Sequence, residues 1–356
     1  MVIQYKCPDC GADMAFNAKS GTLSCESCGK TLPVIEYNEP TDETVEDFES
    51  FETQTSAGTF GEGEATQYQC NNCGAVLITD KDTTATTCSF CGAAMILGDR
   101  LSGQMAPAKV IPFSINKEDA VQAFRKWCKN GLLTPKGFAT AERIKNVTGI
   151  YVPFWLYDLN GQGEAHADCT HVHTYEANDY IYTETKHYDV YRKVDLNYNK
   201  VPVDASEKMD DTLMDKLEPF HYDNLKDFNT PYLAGYLAEK YNYTDAELFP
   251  RVKDRINGYV GDYIRSTIHG YSSTFIRNEW TDVKQRNASY TLLPIWMICY
   301  DYKDSEHIFA MNGQTGKIVG KPPLSKGKIA AWIAGISGSV FLILEILTII
   351  SQGGLL

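Results

Sequence analysis

Tyr5-Lys-Cys7-Pro-Asp-Cys10-Gly11 runs on to Cys25-Glu-Ser-Cys28-Gly29, and Tyr68-Gln-Cys70-Asn-Asn-Cys73-Gly74 runs on to Cys88-Ser-Phe-Cys91-Gly92. Each stretch is C-x2-C, fourteen residues, then C-x2-C, and the second copy starts 63 positions after the first. A two-residue gap lets both thiolates of one knuckle reach a single tetrahedral ion, and two knuckles close a four-cysteine site. The Gly after each second Cys suits a tight backbone that a Cβ would disfavour. The spacing therefore predicts two β-rich zinc ribbons. One is held by Cys7, Cys10, Cys25 and Cys28, the other by Cys70, Cys73, Cys88 and Cys91. Four thiolates leave no open coordination position, so the two Zn2+ ions are expected to be structural.

Other uses of C-x2-C fit less well. Redox pairs come as a single motif beside a βαβ pattern. A disulfide framework goes with a secretory signal, and Met1-Val-Ile-Gln-Tyr-Lys-Cys7 does not read as one. Ribbons this small bury little apolar surface, and metal binding, on the order of 10–16 kcal/mol, would supply most of their folding free energy. A reducing compartment follows.

At the other end, Ile329–Ile350 (IAAWIAGISGSVFLILEILTII) carries one charge, Glu345, and twelve of its residues are Ile, Leu, Val or Phe. A helix of this length rises about 33 Å, enough to cross a hydrocarbon core. The apolar residues outweigh one off-centre acid, which costs about 3 kcal/mol at most. With six residues after it, this segment reads as a tail anchor. Lys321, Lys326 and Lys328 precede it, which predicts a single pass through the cell membrane with the N-terminal bulk in the cytoplasm. Ala334, Gly338, Phe341 and Glu345 share one face. They suit either a homo-oligomeric seam or a lone snorkelling carboxylate.

Charge argues against nucleic acid as a partner. Residues 1–100 hold five Lys plus Arg against sixteen Asp plus Glu, which is most of the chain's net −13. Phosphate contacts need Lys and Arg, so a protein partner is expected instead. A nucleic-acid-binding or replication-associated ribbon protein is the alternative. It would require a basic patch on residues 101–320, where charges are near balance.

The predicted organisation is ribbon 1 at 1–37, an acidic flexible linker at 38–67, ribbon 2 at 68–98, an α+β domain with antiparallel sheet at 99–322, and a basic flank with the transmembrane helix at 323–356. In the linker, Phe48, Phe51 and Phe60 interleave with acids, a pattern that suits either a solvated spacer or docking to a partner. In the domain, Lys109–Phe113 reads as a short strand and Ser114–Asn130 as a capped helix. Gly149-Ile-Tyr-Val-Pro-Phe-Trp155 recurs in altered form at Leu292-Leu-Pro-Ile-Trp296, which suggests equivalent strands and an internal duplication. Thr170–Asn199 reads as antiparallel hairpins. Ala205–Arg265 reads as helix-rich, with helix starts at Pro231–Tyr241 and Pro250–Ser266. Ser305–Met311 and Lys317–Val319 read as a terminal hairpin. No phosphate loop, dinucleotide fingerprint, GxSxG or HExxH occurs, so no catalytic residue is assigned and the chain reads as a non-enzyme. His166, Cys169, His171 and His173 form the densest polar cluster. They are either ordinary strand residues or a third metal position, which would go with an enzyme.

With these residues in place, the chain resembles a family of bacterial membrane-anchored zinc-ribbon proteins often labelled TFIIB-type zinc ribbon or primosomal replication helicase. The matching stretches are both CxxCG frames, Lys109–Phe113, Gly149–Trp155, Tyr232-Leu-Ala-Gly-Tyr-Leu-Ala-Glu-Lys-Tyr241 and Asn312-Gly-Gln-Thr-Gly316. The resemblance implies an adaptor in a membrane-stress system, with PspA-type or SPFH (flotillin-like) proteins as partners.

Overall fold

The computed structural model describes residues 2–34, 65–88, 91, 93–98, 106–131, 133–135, 138, 144–302 and 305–351. Most of the expected linker, including Phe48, Phe51 and Phe60, lies outside the described residues.

The first cysteine module contains β1 (Val2–Ile3), β2 (Met14–Asn17), β3 (Thr22–Cys25) and β4 (Thr31–Pro33), with β2, β3 and β4 forming a three-stranded antiparallel sheet. The second contains β5 (Ala65–Gln69), β6 (Val76–Asp80), β7 (Thr83–Thr87) and β8 (Ala94–Leu97), arranged as two hairpins. β5 and β6 stand apart as a two-stranded sheet, whereas β7 and β8 belong to the main eleven-stranded sheet.

The body begins with β9 (Lys109–Val110) and α1 (Lys117–Asn130). Asn116 caps α1, its side chain accepting from the Asp119 N–H at 2.8 Å, so the helix starts at Lys117, three residues after the expected Ser114. β10 (Ile144–Ala177) is a 34-residue strand, at about 3.3 Å per residue roughly 110 Å of chain path. It turns at Asn178 and Asp179, both with positive φ, into β11 (Tyr180–Asp204). A two-residue turn of this kind matches the strand twist, and Asn and Asp tolerate it best after Gly. Then come the short helix α2 (Asp211–Asp215), β12 (Lys226–Asp227), β13 (Leu237–Glu239) and α3 (Asp245–Ser266). β14 (Ser273–Tyr302), β15 (Ser305–Asn312), β16 (Ile318–Gly320) and α4 (Lys326–Ser351) follow.

Several sequence expectations change here. Pro153 does not interrupt its strand. Its missing N–H costs nothing visible, and its carbonyl accepts from Ala205 N at 3.0 Å. Thr170–Asn199 is one end of a single long hairpin, because β10 pairs with β11 from Phe154 to Ala177. Pro231–Tyr241 is not a helix. Thr230–Leu233 makes a 3-10 turn, Gly235 takes φ +89, and Leu237–Glu239 then enters the sheet as β13. The true helix starts earlier than Pro250. Thr244 and Glu247 form a reciprocal capping box, and Pro250 sits in the second turn of α3. The terminal hairpin is present as β15 and β16.

The two proline-containing frames pair with each other, Val152 opposite Leu293. Around that pair the body repeats itself. β13 runs parallel to β10 at Ile150 and Tyr151, and β9 runs parallel to β14 at Thr291 and Leu292, at one constant offset. At the same offset, Phe154 faces Asp204 across the first hairpin and Ile295 faces Asn312 across the second. Both Asp204 and Asn312 are buried. Each half is thus a short strand, a capped helix and a hairpin, with the short strands exchanged about a local dyad. This geometry is what the expected internal duplication requires.

One face of the sheet carries α1 and α3, and the other carries α2 and the 216–225 segment. α3 seats Val252, Ile256, Val260 and Ile264 on Tyr157, Leu159 and Val283. Gly161 and Gly163 permit this close approach, since a Cβ at either would lie 2.6 Å from Val260 or Ile264. Trp296 is buried in the core around Phe113 and Tyr236, while Trp127 and Trp155 are partly buried against their clusters. Cys128 is buried and its thiol is pushed up to about 12.

α4 is long and apolar enough to cross a membrane, and none of its most apolar stretch is buried against the rest of the chain. Its hydroxyls bond within the helix, Ser339 to the Gly335 carbonyl at 2.8 Å and Thr348 to the Leu344 carbonyl at 3.0 Å. That is how polar groups are satisfied in lipid.

Candidate metal centres

Each cysteine frame brings its four sulfurs together, all within 4.8 Å of one another. In the first module Cys7–Cys28 and Cys10–Cys25 sulfurs are 3.5 Å apart. In the second, Cys70–Cys91 and Cys73–Cys88 are 3.7 Å apart. A tetrahedron of thiolates at about 2.3 Å from an ion has edges of about 3.8 Å, so both sets suit one ion each.

The knuckles share their described backbone bonds. The N–H groups of Cys7, Cys25, Cys70 and Cys88 each donate at 2.8 Å to the carbonyl five residues on, at Ala12, Lys30, Ala75 and Ala93. Gly11, Gly29 and Gly74 all have φ near +70 to +78 and donate back to Cys7, Cys25 and Cys70. The first Cys of each knuckle is buried and the second exposed.

The donors around the sulfurs favour thiolates. The Asn72 amide and then the Ala93 N–H lower Cys91 to about 6. The Cys28 N–H, with further donors, lowers Cys25 to about 7 against the effect of burial. Lys30 N–H acts on Cys28 the same way, but the neighbouring thiols of Cys10 and Cys7 outweigh it and push Cys28 up to about 12. Four crowded sulfurs cannot all lose protons unaided, and a dication at their centre removes that conflict.

The two modules meet the body differently. The first presents Tyr5, Met14, Phe16 and Leu23 to the main core beside Tyr236 and Trp296. Phe16 packs edge-on against Tyr232 with ring centroids 5.3 Å apart, and its N–H donates to Ala234 at 2.9 Å. Gly235 lets the backbone come this near, since an added Cβ would lie 3.1 Å from that of Ala15. The second module joins mainly through strand pairing, β7 to β13 at Ala85–Ala238 and Thr83–Glu239, with Ala85 and Ile96 reaching the main core. Beside it the Lys208 ammonium reaches Asp80 at 2.6 Å, Glu239 at 3.5 Å and Asp82 at 3.9 Å. Partial burial alone would raise Asp80, yet Lys208 and Thr83 hold its carboxyl well below the usual range. Behind this seat, Ser206 bridges to Glu239 at 3.1 Å. Burial raises the nearby Asp204 to about 7, with its Oδ2 unpartnered among the described residues. The modules also touch each other, since β1 pairs with β8 and Lys6 donates to Asn72 at 3.0 Å.

The Lys208 cluster was not legible in the sequence, because its members lie far apart in the chain and form no spaced motif. Of the two readings of His166, Cys169, His171 and His173, the third metal position does not assemble among the described residues. Cys169 is buried beside Ile268, His166 packs at a tilt against Tyr191, and His171 and His173 are exposed farther along the strand, His173 stacked on Tyr175. Among the described residues, the two cysteine sets are the metal-competent groups of side chains.

Comparison with known proteins adds one finding. The chain is 58% identical over 354 residues, 99% of its own length, to all of a Bacillus subtilis (strain 168) protein described as "Uncharacterized protein YdjG". The chain belongs to the YdjG family. No protein-family model matches it, and no solved structure does.

Proposed function

We propose that this member of the YdjG family is a non-enzymatic, tail-anchored scaffold that recruits cytoplasmic proteins to the membrane. The observation that carries the reading is α4, an apolar helix with none of its core stretch buried, joined to a body that carries two cysteine modules. Zinc is the ion that fits closed sites of four thiolates on tetrahedral edges. The orientation follows from Lys321, Lys326 and Lys328 before the helix, which hold the body on the cytoplasmic side, where thiolates stay reduced.

The recruiting surface we favour is the second module. Its β5–β6 hairpin stands off the main sheet and exposes Val76 and Ile78. The surrounding acidity suits a protein partner and repels nucleic acid. The family resemblance makes PspA-like or SPFH-like proteins the partners to look for.

The test is affinity purification of the full chain from detergent-solubilised native membranes, with bound proteins identified by mass spectrometry. Enrichment of SPFH-like or PspA-like proteins, lost with Cys70→Ser plus Cys73→Ser, is the expected result. Recovery of replication proteins or nuclease-sensitive complexes would contradict it.

A further inference from the structure

A pocket of about 460 Å³ opens on the face of the body next to the membrane helix. Its rim carries Lys216, Lys321 and His307 and one acid, Asp210, whose carboxylate accepts from the Leu213 N–H at 2.8 Å as the cap of α2, and Met209, Met297 and Ile308 supply apolar wall. Ile308 is 53% exposed there. Lys208 also lines the pocket, but its charge is committed to Asp80, Glu239 and Asp82. Among the described residues Lys216 and Lys321 have no acidic partner.

Position gives this pocket its meaning. Lys321 is followed by Pro322-Pro-Leu-Ser325, and α4 begins at Lys326. Two prolines make that link extended and stiff, so the rim sits within about 15–18 Å of the helix start. The link is also tied back to the body, since Ser325 N donates to the Leu133 carbonyl at 2.9 Å. The body is therefore held close to the helix start, and with α4 across a membrane the pocket would lie within reach of the headgroups. The chain as a whole carries −13 and would be repelled by an anionic leaflet, so these cations form a local exception to its field.

We propose that this pocket seats the anionic headgroup of a phospholipid, with Lys216 and Lys321 on the phosphate and the first acyl methylenes against Met209, Met297 and Ile308. The polarity gradient matches that ligand, cationic at the rim and apolar along the wall. The inference rests on the membrane-anchor reading of α4.

The test uses the full chain reconstituted in phosphatidylcholine vesicles containing a photoactivatable phosphatidylglycerol or, in parallel, a photoactivatable phosphatidylcholine. Adducts are mapped by mass spectrometry. Preferential labelling by the phosphatidylglycerol probe on peptides spanning 208–216 and 305–321 is expected. Lys216→Glu with Lys321→Glu should cut it by tenfold or more, since each juxtamembrane lysine is worth about fivefold. Lys216→Arg with Lys321→Arg should retain it, and unchanged metal content in both variants reports an intact fold. Equal labelling by the two probes, or labelling indifferent to charge reversal, overturns the proposal. Displacement by soluble glycerol phosphate or an acidic peptide at millimolar concentration overturns it in favour of a soluble ligand. Vesicle flotation separates the two failures. A chain that floats without selective labelling refutes the pocket alone, and one that does not float refutes the anchor as well.

Discussion

The two cysteine modules share one frame and one knuckle geometry, yet they are attached to the body by different physics. The first sits on an apolar seat, with Tyr5, Met14, Phe16 and Leu23 continuous with the main core. The second adds only Ala85 and Ile96 to that core; it is held mainly by a short strand pairing and by Lys208 among three carboxylates, and it keeps its own small core of Tyr68, Met95 and Leu97. A metal frame fixes the fold of a module but says nothing about its docking. Docking is decided by the residues between the cysteines, Phe16 in one copy and Asp80 and Asp82 in the other. The first module is thus part of the body's stability, and the second is free to present a surface.

The largest effects should come from the ligands. Cys25→Ser and Cys88→Ser each remove one ion and with it binding free energy on the order of 10 kcal/mol. Cys25→Ser should lower the melting temperature of the whole body. Cys88→Ser should raise amide exchange in Thr83–Thr87, Ala94–Leu97 and Leu237–Glu239 while β10 and β14 stay protected. Equal global unfolding in both variants would erase the distinction between the seats.

Phe16→Ala should cost about 3–5 kcal/mol in denaturant titration, as for other buried aromatics, and the cost should not change with salt. Asp204→Asn addresses the polar side, where the pseudo-equivalent residue in the other half is already Asn312. With Asp204 raised to about 7 when folded and near 4 when unfolded, the unfolded chain loses its proton first as pH rises. Wild-type stability should therefore fall between about pH 4 and 7. The substitution should remove that slope and stabilise the chain by about 2–4 kcal/mol at pH 8. A wild-type stability flat across that range would contradict it.

Asp80→Asn should cost about 1 kcal/mol, because the pair it breaks is half-exposed. The carboxylate's contribution is complete above about pH 4 and is lost on further acidification, since its folded pKa lies below the unfolded one. Unlike that of Phe16→Ala, this cost should shrink at high salt. Smallest of all, Val76→Ser with Ile78→Ser should change stability by less than about 0.5 kcal/mol. If the scaffold reading holds, the same pair lowers partner recovery in the affinity purification.

The two four-cysteine groups, the capped helix α1, the terminal hairpin and the apolar C-terminal helix were legible because each rests on local spacing or composition. The pairing of the two proline frames was half legible. Their likeness is in the sequence, but their meeting as Val152 opposite Leu293 is a tertiary fact. The Tyr232–Tyr241 segment misled because its apolar spacing fits a helix, while Gly235 and the waiting edges of β7 and β10 make it a strand. The seats of the modules were hidden for the same reason. Lys208 meets Asp80 across 128 positions, and no window along the chain contains both.

Two closed, structural zinc sites holding the modules on the body are the core of this proposal. It is tested most directly by counting metal in the purified full chain by inductively coupled plasma mass spectrometry, beside Cys25→Ser and Cys88→Ser. Two zinc ions per chain, and one in each variant, are expected. A wild-type chain with no zinc, a different metal or a third ion, or a single substitution that empties both sites, would contradict it.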